Sequence, residues 1–199
     1  MADARLVAVR QVLAVLDGRS LDAALSQSTG VSDDRDRALA AELSYGVCRW
    51  YRRLDALLQQ LLAKPLKARD RDLHVLMLVG AYQLLYSRVP EHAALSATVE
   101  GTRGLGKPWA SKLVNGVLRR LQRERTRLEA QVDAIPAQRY ALPDWLFDAI
   151  EQAWPGRGEA IAAALQQRPP MTLRVDVAQV TRSAYAAELG ASGIAARPH

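Results

Sequence analysis

Hydrophobic residues recur at helical spacing through most of the first 130 residues of the chain. Leu6, Val9 and Leu13 follow one another three or four residues apart, which predicts a helix that ends at Asp17-Gly18. Capping residues and prolines place the boundaries of the helices that follow. These are predicted at Ser20 to about Gln27, from about Asp34 onward (after a cap at Ser32-Asp33), Leu54–Leu62, Asp70–Tyr86, Glu91–Arg103 and Pro108 to about Leu128. About seven helices with short connections predict an all-α helical domain.

The pattern changes after residue 130, where we expect a linker over 131–142 and the start of a second domain over 143–199. Here the predicted elements are helices over Pro143–Ala153 and Arg157–Gln166, a stop at Arg168-Pro169-Pro170, a strand over Met171–Val177 and a helix that Thr181 caps and that ends near Leu189. A lone strand leaves its backbone groups unpaired, so we expect the natural protein to continue beyond His199. The predicted fold class is mainly α: a helical bundle over residues 1–130, then the beginning of a small α/β domain.

Composition narrows the setting of the protein. Cys48 is the only cysteine, so no disulfide can form within the chain, as is typical of a reducing cytosol. The N-terminus lacks the pattern of a signal peptide. The longest apolar stretch, Leu73–Tyr86, is too short to span a membrane and suits a buried helix. We therefore expect a cytoplasmic protein that has no membrane partner.

Positive charge is concentrated in one short segment. The formal net charge is +6, yet residues 103–127 hold 8 Lys and Arg against 1 Asp or Glu. Clustered positive charge attracts polyanions, because neutralised phosphates release their condensed counterions. A solvated helix face is the alternative interpretation.

Helical spacing sorts this segment into two sides. A step of about 100° per residue places Leu113, Val114, Val117, Leu118 and Leu121 on one side, and Lys112, Arg119, Arg120, Arg123 and Arg127 together on the other. Arginine suits phosphate because its planar guanidinium donates in pairs. These five cations are the predicted contacts to a polyanion such as nucleic acid, and Lys107 in the preceding glycine-rich loop is a further candidate for an RNA phosphate.

Other residues could extend such a surface. Arg5, Arg10 and the cluster Arg49, Arg52 and Arg53 are candidates if they fold nearby, although some could instead pair with Asp55 or Glu42. Trp50, Tyr51 and Trp109 could stack on bases. Burial in the core is the alternative for these aromatic residues.

No catalytic or metal site is predicted. Gly101–Lys107 matches the start of a phosphate-binding P-loop, but Pro108 replaces the magnesium-binding Ser or Thr and no strand precedes the loop. His74, His92 and His199 lack metal-ligand spacing. Cys48 lies on the apolar stretch of a helix, which favours a packed thiol over a nucleophile.

Three segments carry a resemblance to a known family. Residues 39–49 and 73–94 resemble the central helices of the NusB-like RNA-binding domain, and Leu113–Arg120 (LVNGVLRR) resembles its hallmark. The tail at Leu142–Leu146 (LPDWL) and Gln167–Val175 (QRPPMTLRV) is similar to the connecting segment of the RsmB/Sun/Fmu-type 16S rRNA cytosine-C5 methyltransferases.

The resemblance implies an enzyme that transfers a methyl group from S-adenosylmethionine to cytosine C5 in small-subunit ribosomal RNA, with two cysteines acting on the base. Its cofactor loop and its cysteines are expected beyond residue 199, and Cys48 matches neither cysteine motif. The implied role of residues 1–199 is to bind 16S rRNA, or its precursor in the small subunit, and to position it for the protein's own C-terminal methyltransferase domain. Residues 1–199 alone are then expected to hold no cofactor and to be inactive, although the parent protein is an enzyme. The resemblance implies RNA binding by the basic helix residues Lys112, Arg119, Arg120, Arg123 and Arg127, and extends it to Arg5 and Arg10.

Two other functions are open at this point. One is a NusB-like transcription antitermination or regulatory module, against which the tail from Leu142 argues. The other is a scaffold that packs on a catalytic domain and touches no nucleic acid.

Overall fold

A computed structural model describes residues 3–26, 33–167 and 171–197, and it is mainly α-helical, as predicted. The described helices are α1 (Ala4–Leu16), α2 (Leu21–Ser26), α3 (Asp34–Gln59), α4 (Arg71–Tyr86), α5 (Glu91–Gly104), α6 (Ser111–Arg123), α7 (Arg125–Asp133), α8 (Pro136–Arg139), α9 (Asp144–Ala153), α10 (Gly158–Gln166) and α11 (Arg182–Ala191). Short 3-10 turns, Ala68–Asp70 and Pro108–Ala110, lead into α4 and α6.

Local signals explain several helix boundaries. Asp3 accepts a hydrogen bond from the backbone N–H of Arg5 at 2.8 Å, and Asp33 caps α3 in the same way. Gly18 ends α1 with φ +93°, a conformation that glycine adopts without strain. The predicted cap at Ser20 is confirmed, since its hydroxyl accepts from the Ala23 N–H. The predicted end near Gln27, the Ser32 cap and the stop at residues 168–170 lie outside the described residues.

Helix α4 lies at the centre of the bundle and contacts α1, α3, α5 and α6. Its Leu73, Leu76 and Leu78 are fully buried, which accounts for the uninterrupted apolar stretch in the sequence. Small residues allow neighbouring helices to approach it closely. A Cβ on Gly46 of α3 would overlap the Tyr82 ring, and one on Gly80 would lie 2.8 Å from a Leu118 methyl group. Such contacts fix the position of α6 against the core.

Two helix predictions were wrong in detail. The expected separate helix Leu54–Leu62 is instead the end of α3, which runs without a break to Gln59 because no glycine or proline occurs over residues 47–59. The helix expected to run from Pro108 to Leu128 breaks at Glu124 (φ −102°, ψ 14°), so α7 is a separate helix. Part of the expected linker folds as α8, which Pro136 opens.

Backbone contacts divide the chain into two compact units, Met1–Gln166 and Gln167–His199. The helical domain over 1–130, the linker over 131–142 and the second domain over 143–199 stay predictions. In the second unit Thr181 caps α11, as predicted, by accepting from the Ala184 N–H at 3.3 Å. The predicted strand Met171–Val177 is not formed. Residues 171–176 belong to no helix or strand, since no described segment pairs with them.

None of the helices in residues 3–26, 33–167 and 171–197 is long and apolar enough to cross a membrane.

Candidate nucleic-acid interface

Helix α6 has one buried side and one charged side. Val114, Leu118 and Leu121 are fully buried, whereas the predicted cations are exposed. We define the basic face as Lys112, Arg119, Arg120 and Arg123 of α6 together with Arg127 at the start of α7. The structure therefore brings the five predicted cations of this segment together on two consecutive helices.

Glu124 is the carboxylate within the basic face. It accepts from Arg120 Nε at 2.8 Å and from Arg127, and it lies 3.6 Å from Arg123. The hydrogen bonds from Arg120 and Arg127 lower its pKa to about 2. Sequence spacing could have indicated this site, because Arg120 and Arg127 lie four residues before and three residues after Glu124.

One carboxylate cannot neutralise three arginines. Arg120, Arg123 and Arg127 keep 44%, 70% and 50% of their side-chain surface exposed despite these contacts. Exposed ion pairs contribute roughly 0–1 kcal/mol each, so a phosphate can replace them at little cost. The pairing orders the arginines and leaves the face strongly positive.

Lys112 and Arg119 have no acidic partner among the described residues. Arg119 Nε donates to the side-chain oxygen of Asn115 at 3.1 Å, a neutral contact that orients the guanidinium. Both cations are exposed. They are consequently the charges on the basic face that a phosphate can reach without displacing a carboxylate.

Lys107 has a different environment from the one predicted. Its side chain is 18% exposed, and its ammonium lies 2.6 Å from Asp72, 3.0 Å from Asp70 and 2.8 Å from the Arg69 carbonyl. Burial opposes the charged form, but the hydrogen bonds to Asp72 and Asp70 outweigh it and raise the pKa of Lys107. The lysine thus ties the loop before α6 to the start of α4. We assign it a structural role instead of the predicted phosphate contact.

Arg5 and Arg10 differ in accessibility. The Arg5 side chain is 13% exposed and lies 3.6 Å from Asp3, so it offers little surface to a ligand. Arg10 is exposed, and no acidic partner is found for it in the described part of the chain. Of these two predicted residues, only Arg10 presents an accessible cation.

The cluster Arg49, Arg52 and Arg53 does not form one surface. Arg53 is buried, where its guanidinium pairs with Asp133 and donates to the Tyr86 hydroxyl at 2.9 Å. The prediction that it extends a binding surface is therefore wrong. Arg49 is exposed and donates to the Gln166 carbonyl at 3.2 Å, and Arg52 is exposed.

Asp55 does not pair with these arginines. Its two oxygens accept from Gln59 and contact His74 Nε2 at 2.7 Å, in a cleft of about 580 Å³ between α1, α3 and α4.

The three candidate aromatic residues lie in different environments. Trp50 stacks on Tyr86, with ring centroids 4.9 Å apart, and Tyr51 packs against the core. Trp109, in the turn that leads into α6, is 63% exposed. Burial therefore explains the first two residues and leaves Trp109 available for stacking.

The glycine-rich segment Gly101–Lys107 offers no cradle for a nucleotide or for S-adenosylmethionine. Gly101 and Gly104 lie within or at the end of α5, where the side chains of Leu76 and Leu6 fill the space that a Cβ would take. The Lys107 ammonium already pairs with Asp70 and Asp72. Cys48 is partly buried on α3, and burial raises the pKa of its thiol, which disfavours a nucleophilic thiolate. The described residues do not fit the implied cofactor, and no step of methyl transfer is assigned to them.

Comparison with known proteins identifies the class. The model of the NusB family matches residues 2–123, which is more than half of the chain. The chain therefore belongs to the NusB family. Residues 142–199 match the model of the RsmF/B-like methyltransferase ferredoxin-like domain.

Named relatives extend this result. The chain is 48% identical over 193 residues to ribosomal RNA small subunit methyltransferase B of Pseudomonas putida, covering 96% of this chain and 44% of that protein. It is 45% identical over 196 residues to the protein of the same name from Pectobacterium carotovorum, covering 98% and 46%. The Escherichia coli protein of that name is 42% identical over 192 residues, covering 96% and 44%. The chain spans less than half the length of these relatives.

Proposed function

We propose that this chain is the RNA-binding N-terminal portion of an S-adenosylmethionine-dependent 16S rRNA (cytosine-C5) methyltransferase, and that it positions the RNA for catalysis elsewhere in the protein. The observation that carries the proposal is the basic face, five exposed cations of which three share the single carboxylate of Glu124. The names of the relatives support ribosomal RNA as the substrate. The cofactor and the methyl transfer belong, in this proposal, to the part of the relatives that the chain does not cover.

The partners follow from the same reasoning. The RNA is 16S rRNA or its precursor in the cytoplasm, and the second partner is the protein's own C-terminal methyltransferase domain. A free-standing antitermination module is disfavoured, because residues 142–199 match a domain model named for methyltransferases.

Charge reversal on the basic face tests the proposal. Arg119→Glu combined with Arg123→Glu should weaken binding to a 16S rRNA fragment at least tenfold at low salt, because two phosphate contacts become repulsive. The dependence of log K on log salt should also become shallower, by about 0.7–0.9 per lost contact. Fluorescence anisotropy of a labelled RNA fragment, measured over a salt series, provides both values.

Arg174→Glu combined with Arg182→Glu is the matched control, since it makes the same double charge reversal at two exposed arginines that belong to neither α6 nor α7. Circular dichroism should show unchanged helix content in both variants. Equal RNA affinity and equal salt dependence for the native chain and for Arg119→Glu with Arg123→Glu would show that the basic face does not bind RNA. Binding that is equally weak for RNA and for heparin would favour the scaffold instead.

A further inference from the structure

Helix α6 carries a glycine that folding does not explain. Gly116 lies in the middle of the helix and is exposed, and a Cβ built on it would meet no atom within 4 Å. Glycine in a helix interior costs roughly 0.5–1 kcal/mol relative to alanine. The buried glycines Gly46 and Gly80 differ, because neighbouring side chains occupy their Cβ positions.

The position of Gly116 relates it to the basic face. Steps of about 100° per residue place it in the same sector as Lys112 and Arg119. Its bare backbone therefore lies between the two cations that have no acidic partner. A residue without a side chain at this point lets a ligand approach the helix backbone closely.

Trp109 marks the N-terminal end of the same sector. The turn Pro108–Ala110 runs directly into α6, so Trp109 lies on the side of Lys112, three residues before it. Its ring is 63% exposed. An exposed indole beside cations is an arrangement that stacks unpaired bases, because every base offers a π face and the phosphates find positive charge nearby.

We infer that the basic face binds single-stranded RNA, with one base stacked on Trp109 and the sugar-phosphate backbone crossing α6 at Gly116 between Lys112 and Arg119. This inference rests on the proposed function and specifies its substrate class. Duplex RNA does not satisfy it, because paired and stacked bases cannot lie on the indole ring.

Charge selects RNA over a protein surface as the occupant. A protein packed against Gly116 would have to cover Lys112 and Arg119, and unpaired charges are costly to desolvate. An RNA backbone supplies the missing negative charge to both. The alternative is that another part of the full protein packs on this side of α6. The experiment must therefore show whether Trp109 and Gly116 affect RNA affinity.

The test compares variants with opposite expected effects on stability and binding. Gly116→Ala should raise the melting temperature, because alanine favours helix, and Gly116→Gln should place a longer side chain in the path of the RNA. We expect affinity for a mixed-sequence single-stranded oligoribonucleotide to fall about three-fold for G116A and at least tenfold for G116Q. Trp109→Ala should lower it five-fold or more, since a stacked base contributes substantially to binding. The matched control is Gly190→Ala in α11, an exposed helical glycine that also has open space at its Cβ.

Each result has one meaning. The inference holds if G116Q and Trp109→Ala lose single-strand affinity while G190A does not, and if affinity for the duplex formed with the complementary strand changes less than two-fold. It is overturned if these variants bind as the native chain does while Arg119→Glu with Arg123→Glu still loses affinity. That second pattern would leave the proposed function intact and would show that Trp109 and Gly116 do not contact the RNA. Unchanged affinity in all of these variants would overturn both proposals.

Discussion

Replacement of Arg53 by methionine should destabilise the helical unit more than any change on the basic face. Arg53 is 8% exposed, and it joins α3 to Asp133 and Glu129 of α7, to the Tyr86 hydroxyl and to the Arg139 carbonyl. Methionine has a similar length and packs well, but it cannot donate a hydrogen bond to any of these groups.

The magnitude follows from what each partner loses. Removal of one partner from a buried ion pair costs about 3–5 kcal/mol. Asp133 is 39% exposed and can regain water, and Glu129 keeps Arg125 at 3.1 Å, so part of that cost is avoided. We therefore expect a loss of about 2–3 kcal/mol in the free energy of unfolding.

Urea denaturation followed by circular dichroism measures this loss. Trp50 stacks on Tyr86, to which Arg53 donates, so tryptophan fluorescence should change in the native state as well. Arg53→Lys keeps the charge but not the forked guanidinium, so its free energy of unfolding should lie between those of the native chain and Arg53→Met. A loss below about 0.5 kcal/mol for Arg53→Met would refute the reasoning, because a typical substitution of a surface residue changes the free energy of unfolding by that much.

The remaining predictions concern a carboxylate, a lysine and a glycine. The folded-state pKa of Glu124 is lowered to about 2, so its stabilising contribution is present above its unfolded pKa near 4.5 and is lost as the pH falls toward 2. The stability difference between the native chain and Glu124→Gln should therefore vanish in acid, and an NMR titration showing an ordinary Glu124 pKa would contradict the assignment. Lys107→Met removes the ion pair of Asp72 and leaves Asp70 with Arg69 at 3.7 Å, so it should lower the free energy of unfolding by about 1–3 kcal/mol. An unchanged urea midpoint combined with weaker RNA binding would restore the phosphate role. Gly46→Ala places a methyl group against the Tyr82 ring and should lower the free energy of unfolding by about 1–3 kcal/mol. An increase in melting temperature would instead show that α3 and α4 can move apart to accommodate the methyl group.

Local signals were enough to predict much of the bundle. The apolar run of α4, the cap at Thr181 and the glycine that ends α1 act within a few residues, so the sequence alone reveals them. The two sides of α6 follow from helical spacing in the same way.

Contacts between distant parts of the chain could not be predicted. The partners of Lys107 lie 35 and 37 residues away in α4 and the turn before it, and Asp133 lies 80 residues from Arg53. Nothing near either cation in the sequence reveals these pairs, so helical spacing and composition predict surface charges at both positions. The prediction of a strand at Met171–Val177 was wrong for a related reason, because a strand forms only where another segment supplies its hydrogen bonds.

The structure changes which residues of the candidate site matter. We propose that Lys107 and Arg53 do not contact RNA, because acidic partners hold them, and that Arg5 does not, because little of its side chain is exposed. In the same proposal Gly116 and Trp109 belong to the site, because they share a side with the cations that have no acidic partner among the described residues. The result is a narrower surface on α6 than composition alone suggested.

Mapping of amide chemical shifts during an RNA titration is the most direct test of whether α6 docks RNA. A ¹⁵N-labelled chain titrated with a 16S rRNA fragment should show its largest shifts, which salt should reverse, between Trp109 and Arg127. Shifts confined to α9–α11, or spread evenly over every exposed arginine, would contradict the account.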